Sequence, residues 1–119
     1  MITGPSGFNP DYTETDEPTI AQVRAWSGDT LLEFGAPWCG HCRAAQAAIQ
    51  EALASHSGLR HVKVCDGKGK PLGRAFRVKL WPTLILLRHG VEVARVVRPL
   101  QYEEVRQLLE QGQRPPQEE

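Results

Sequence analysis

Leu32-Glu33-Phe34-Gly35-Ala36-Pro37-Trp38-Cys39-Gly40-His41-Cys42-Arg43 decides how this chain reads. The apolar run over residues 31–36 predicts a buried strand. An Ala-rich stretch from Cys39 to about residue 56, closed by Gly58, predicts a long helix. Cys39 and Cys42 therefore fall on the first turn of that helix. Backbone N–H groups there lack intrahelical partners, and the helix dipole favours negative charge. A thiol in such a place favours its thiolate, the form that attacks disulfides, and a second thiol one turn on resolves the mixed disulfide. The spacing points to thiol–disulfide exchange before any fold is assigned. The alternative for such a pair is half a zinc site. Zinc usually takes four ligands, and only Cys65 and four scattered histidines remain, none at ligand spacing. We expect no metal, and no bound cofactor, since a disulfide itself carries two electrons.

At 119 residues the chain has the size of one domain. A chain of this length buries roughly two thirds of its unfolded surface, enough for a real core. Hydrophobic residues make up 40% and charged ones 24%, with zero formal net charge. That balance argues against nucleic acid or an acidic membrane surface as a partner. Charge is uneven, however. Residues 1–23 hold four acidic residues and no Lys or Arg. Residues 60–79 hold Arg60, Lys63, Lys68, Lys70, Arg74, Arg77 and Lys79 against Asp66 alone. The basic segment is either a docking face or an ordinary solvated surface. Three cysteines make no disulfide framework, no signal-like segment precedes Arg24, and no apolar run reaches the ~20 residues that span a bilayer. The expectation is a monomer in a reducing, cytoplasmic setting.

Residues 1–17, rich in Gly, Pro and acidic groups, predict an irregular lead-in with a short strand near residues 12–15. Residues 18–26 predict a short helix, capped by Asp16 or Glu17 and carrying Ile20, Val23 and Trp26 at helical spacing. Strands follow at 30–35, 59–65 and 83–87, with a short helix at about 71–76 between the last two. His89-Gly90 predicts a hairpin turn into a partner strand at 91–97. A final amphipathic helix at 101–111 carries Tyr102, Val105, Leu108 and Leu109 on one face. Residues 113–119 predict a flexible C-terminal tail. The order implies an α/β fold: a central mixed sheet of four to five strands flanked by helices on both faces.

The quoted segment resembles the active-site segment of thioredoxin-fold proteins. It is most similar to the Cys-Gly-His-Cys run of protein disulfide isomerase catalytic domains. Leu80-Trp81-Pro82-Thr83 resembles the same family's X-Pro-Thr, whose proline is cis and faces the cysteine pair. The resemblance spans about residues 18–112, taken as a thioredoxin-like domain. It implies that Cys39 is the nucleophile and Cys42 the buried resolving cysteine. Trp38 shields the pair. Glu33, six residues before Cys39, is the buried acid that relays a proton to or from the resolving thiol, and Lys63 pairs with it. Trp38, Trp81, Pro82 and Thr83 form the substrate-binding side. Gly40 and His41 tune the potential. Elementary physics agrees about Glu33: a carboxylate in a buried strand needs a partner or a proton. A protonated imidazole at His41 would stabilise the Cys39 thiolate, hence the reduced form, making the disulfide a better oxidant than a Cys-Gly-Pro-Cys site.

Departures from the family pattern stand beside the matches. Ala47 occupies a place often held by a helix-kinking proline. Arg98 replaces a glycine beside the site; it narrows the substrate groove, swings toward the thiols, or is a plain surface arginine. Trp81 replaces a smaller aliphatic residue and is a substrate platform or simple packing. Cys65 reads as a small buried hydrophobe, with a regulatory thiol as the alternative. His56, His61 and His89 receive no role. Together these readings imply a thiol–disulfide oxidoreductase acting on protein substrates, as a reductase, recharged by a separate reductase or thiol pool. An isomerase or oxidase in an oxidising compartment and a non-enzymatic partner-binding module are the alternatives.

Overall fold

A computed structural model describes residues 7–13 and 17–113. Its elements are α1 (Ile20–Arg24), β1 (Asp29–Gly35), α2 (Gly40–Leu53), β2 (Arg60–Cys65), α3 (Pro71–Ala75), β3 (Thr83–Arg88), β4 (Val91–Val97) and α4 (Tyr102–Gln113). Among the described residues the sheet has four strands in the order β2-β1-β3-β4. β1 runs parallel to β2 and antiparallel to β3, and β3 is antiparallel to β4.

The two-residue period of β1 sorts the molecule into layers. Leu31 points to the face covered by α2 and α4, where it packs with Ala45, Ile49, Leu53, Leu84, Leu86, Val105 and Leu109. Leu32 and Phe34 point the other way, against Val23 of α1, Leu72 of α3 and Val64, Ile85 and Leu87. Both faces of the central strands are therefore buried, which is why β1 and β3 read as nearly continuous apolar runs. Glu33 and Gly35 share the face of Leu31. Register places His61, Lys63 and Cys65 directly beside Leu31, Glu33 and Gly35. A column of polar side chains thus lies on an otherwise apolar layer, beneath the N-terminal turn of α2.

The hairpin between β3 and β4 turns at His89 and Gly90, both with positive φ (51° and 78°), as a two-residue turn matching strand twist requires. Gly90 is also fixed by space, since a Cβ there would sit 2.6 Å from the carbonyl oxygens of Val23 and Arg24. α2 runs unbroken past the exposed Ala47.

Two expectations near the N-terminus change. α1 is capped by Thr19, whose hydroxyl accepts from Gln22 N at 3.1 Å while the Gln22 side chain accepts from Thr19 N at 2.9 Å. Asp16 lies outside the described residues. Glu17 instead accepts from Leu72 N at 3.0 Å and so caps α3. Residues 7–13, expected as an irregular lead-in, follow the free edge of β2. Gly7 N donates to Leu59 O at 2.7 Å, Cys65 N donates to Thr13 O at 3.3 Å, and Thr13 forms an isolated parallel bridge with Val64. Part of the short strand expected at 12–15 lies outside the described residues.

Candidate active site

The apolar strand β1 ends at Gly35, and Ala36-Pro37-Trp38 turns the chain into α2. Cys39 is the N-cap of that helix, with extended backbone (φ −83°, ψ 121°), and its sulfur accepts from Cys42 N at 3.2 Å. One first-turn N–H, that of Cys42, therefore faces this sulfur. Cys39 keeps 8% of its surface accessible and Cys42 none. Both are free thiols. Cys39 is less open than an exposed helix tip would be, yet it is the one of the pair that an incoming chain can reach.

Around the rim, Trp38 is 68% exposed and meets Trp81 edge to face at 5.4 Å between ring centroids. The Trp81 indole donates to Asp66 Oδ2 at 2.9 Å, which holds the ring against the cysteine cluster. The Trp81–Pro82 peptide is cis. Arg98 lies at positive φ (54°), and its backbone N–H donates to Pro82 O at 2.8 Å. Its guanidinium Nε donates to Trp81 O at 2.8 Å. Arg98 therefore braces the backbone of the Trp81–Pro82 loop and does not reach for the thiols. The Thr83 hydroxyl, expected on the substrate side, is buried and donates to Leu80 O at 2.6 Å, so it stiffens the loop from within. Gly40 and His41 are exposed on the first turn of α2, and a Cβ at Gly40 would meet nothing within 4 Å.

Beneath the cysteines lies the polar column. Glu33 is fully buried. Its Oε1 pairs with His61 Nε2 at 2.7 Å. Its Oε2 accepts from Gln46 Nε2 at 3.0 Å and from the Tyr12 hydroxyl. Asn9 N donates to His61 Nδ1 at 2.9 Å, so the ring proton sits on Nε2 and is directed at Glu33. Lys63, expected to pair with Glu33, donates instead to Pro10 O at 3.0 Å and Gln46 Oε1 at 2.8 Å, and lies over the Tyr12 ring at 4.2 Å. It influences Glu33 by charge; the direct hydrogen-bond partner is His61, to which the sequence reading assigned no role.

Burial would raise the Glu33 carboxyl. The hydrogen bond from His61, with the charge of Lys63 and the Tyr12 hydroxyl, outweighs that and leaves it below the ordinary carboxylate value. Burial lowers Lys63 against the pull of Glu33 and Asp11. The Cys42 thiol is pushed up to about 12, first by burial and then by its hydrogen bond with Cys39, while the Ala36 backbone and Tyr12 pull it down. Tyr12 is strongly raised by burial and by the nearby Glu33 charge. A resolving thiol that holds its proton this firmly needs a base at hand, and Glu33 is the ionised carboxylate placed beneath it.

Tyr12 and His61 escaped the sequence reading. His61 carried a usable signal, since it stands two residues before Lys63 and so shares its face of the strand. Tyr12 carried little, because its place depends on how residues 7–13 lie along β2. Among the described residues no group of His, Cys, Asp and Glu is arranged to hold a metal ion.

The family model described as Thioredoxin matches residues 12–111. The chain superposes on thioredoxin 2 from Pseudomonas aeruginosa PAO1 in its reduced form with a TM-score of 0.79 and 43% identity, covering 88% of this chain and 96% of that one. It is 40% identical over 75 residues to a thioredoxin of Chlamydia pneumoniae, spanning 60% of this chain and 70% of the relative. It is also 40% identical over 74 residues to protein disulfide isomerase-like 5-3 of Oryza sativa subsp. japonica, spanning 59% of this chain and only 17% of that longer protein.

Proposed function

Since this chain belongs to the thioredoxin family and is a thiol–disulfide oxidoreductase, we propose that it acts as a reductase of protein disulfides through Cys39 and Cys42. One observation carries the reading: of two free thiols on one helical turn, the N-cap sulfur is accessible and its neighbour is sealed behind it. Cys39 thiolate attacks a substrate disulfide, forming the Cys39–substrate bond and expelling one substrate thiolate. Cys42 loses its proton and attacks Cys39, closing the Cys39–Cys42 disulfide and releasing the second substrate thiolate. Two electrons pass to the client, and a reductase or thiol pool returns them.

In this reading Pro82, the exposed Trp38 and the half-buried Trp81 receive the client chain. An extended segment pairing beside the loop would gain backbone hydrogen bonds without side-chain selectivity. Glu33 is the proton acceptor. Lys63 sets its charge environment, and Gly40 and His41 set the potential. The catalytic unit is residues 12–111, so it takes in part of the N-terminal segment. A monomer in the cytoplasm is the setting this direction of flux suits, because that compartment keeps thiols reduced. No described helix is long and apolar enough to cross a membrane.

Turbidimetric insulin reduction tests the reading. Wild type is expected to be active, Cys39→Ser inactive, and Cys42→Ser inactive but trapped in mixed disulfides that identify clients. Inactivity of the wild type would overturn it in favour of a partner-binding module. A second reading, as an isomerase or oxidase, is favoured by one observation: His41 stands exposed on the first turn of α2 beside Cys39. The measured redox potential separates the two.

A further inference from the structure

We propose that the Tyr12 hydroxyl is the proton bridge between the resolving thiol of Cys42 and the Glu33 carboxylate. The inference rests on the reductase reading above and deepens it. Three observations meet at this hydroxyl. It donates to Glu33 Oε2. The Cys42 thiol raises its proton affinity and it lowers that of the thiol, so the two groups sense one another. A Cβ placed at Gly35 would lie 2.5 Å from Cys42 Sγ and 2.6 Å from Tyr12 Oη, so sulfur and hydroxyl converge over the same glycine. Only a residue without a side chain leaves room there for both. Gln46 bridges Glu33 to the Cys42 backbone carbonyl, and none of the hydrogen bonds to the Glu33 carboxylate comes from Cys42 itself.

A phenol has one proton and can donate it to one neighbour at a time. With Cys42 as a thiol, the S–H faces Tyr12 Oη and the phenol donates to Glu33. As Cys42 attacks, its proton passes to Tyr12 Oη while the phenol proton passes to Glu33. The phenol then donates to the sulfur and the protonated Glu33 donates to the phenol. Cys42–SH and Glu33–COO⁻ become Cys42–S⁻ and Glu33–COOH, and Tyr12 ends neutral as it began. The new thiolate forms the bond to Cys39 Sγ and breaks the Cys39–substrate bond, and the departing substrate thiolate takes up a proton. The strong raising of Tyr12 keeps a free phenolate out of this sequence, so both protons move together. Among the described residues the other groups facing the relay are Cys39 at the N-cap of α2, Gln46 from α2 and His61 and Lys63 from β2, with Asp11 acting on Lys63. A cavity of about 210 Å³ lined by Asp11, Tyr12, Arg43, Gln46 and Lys63 opens beside it.

Tyr12→Phe isolates the hydroxyl, because the ring that Lys63 covers remains. Stopped-flow reaction of the reduced protein with a chromogenic nitrobenzoate disulfide releases one thiolate on attack by Cys39 and a second on resolution by Cys42. Wild-type attack by Cys39 is the control for the reductase reading; if it does not occur, that reading falls, and the bridge with it. With attack intact, the bridge predicts that Tyr12→Phe leaves the first phase unchanged and slows the second about tenfold or more. Resolution in this variant should climb about tenfold per pH unit through neutrality, as for an unassisted thiol, against a shallow wild-type profile. Glu33→Gln should show the same slowing, and the double variant no more than either alone. Wild-type resolution in Tyr12→Phe, equal slowing of both phases, or losses that multiply in the double variant would each overturn the bridge.

Discussion

His61 Nε2 and Glu33 Oε1 lie 2.7 Å apart with both side chains fully enclosed. Removing the imidazole leaves a buried carboxylate without that donor, at a cost of about 3 kcal/mol. His61→Ala is therefore expected to lower unfolding free energy by about that amount, read by urea denaturation at neutral pH. Loss of under about 1 kcal/mol would show that Tyr12 and Gln46 suffice for the carboxylate.

The same carboxylate gives stability a defined acid limb. Its folded value lies below the ordinary 4.5, so above that pH both folded and unfolded chains are ionised and the contribution is complete. As pH falls below 4.5 the unfolded chain binds the proton first, and the contribution is lost through the depressed folded value. Cys42 acts at the other end. Raised from 9.0 to about 12, it contributes below pH 9 and loses that contribution as pH rises toward 12. Denaturation midpoints of wild type and Glu33→Gln should converge on the acid side, and those of wild type and Cys42→Ser on the alkaline side. Parallel pH profiles would refute the assignments.

Gly35 offers a steric test of the same region. An added methyl would overlap Cys42 Sγ and the Tyr12 hydroxyl at 2.5 and 2.6 Å. Neither atom can withdraw freely, since one is fixed by α2 and the other by Glu33. Gly35→Ala is expected to cost about 1–3 kcal/mol and to slow resolution more than attack. Unchanged stability in thermal melts would mean that Tyr12 moves aside without penalty.

What was readable in the residues was what neighbouring residues decide. The apolar run ending at Gly35, the paired cysteines, and the turn at His89-Gly90 each state their structure within a few positions, and β4 lies at Val91–Val97 as its alternation implied. Thr19 and Gln22 form a capping box that was equally local, though Asp16 and Glu17 drew the reading away from it. Cys39 and Cys42 owe their visibility to the same short-range grammar, and Glu33 and Pro82 to the resemblance of their segments to thioredoxin-fold proteins. Partners that meet across the sheet were not readable. Glu33 faces His61 and Tyr12 because of the register of β2 against β1 and of an N-terminal segment held by a few backbone bonds. Arg98 was ambiguous for a related reason: its target is a carbonyl oxygen, and backbone acceptors leave no trace in residue type.

That carbonyl suggests how Arg98 acts. Its two bonds, to Trp81 O and Pro82 O, fix the loop that would receive a client. Arg98→Ala removes the side-chain bond alone, worth about 1 kcal/mol, hence about fivefold in affinity. KM for a protein disulfide should rise by that factor with kcat retained, and the pH dependence of Cys42 alkylation should not move. A shifted Cys42 profile would show that the arginine acts on the thiol after all.

His41 decides whether this site gives or takes electrons most readily. It occupies the second position of α2, exposed, where the helix N-terminus already favours negative charge on the N-cap sulfur. Any positive charge the imidazole carries adds to that field and stabilises the thiolate, which exists only in the reduced form. The first turn of a helix tolerates proline, so His41→Pro removes the imidazole without breaking α2. The potential, measured by equilibration with glutathione, should become more negative by about 30 mV or more, tenfold in the equilibrium constant. The gap should narrow as salt is raised, since the imidazole is open to solvent. An unchanged potential would assign the tuning to the buried column beneath Cys42 and remove the case for an isomerase-like role.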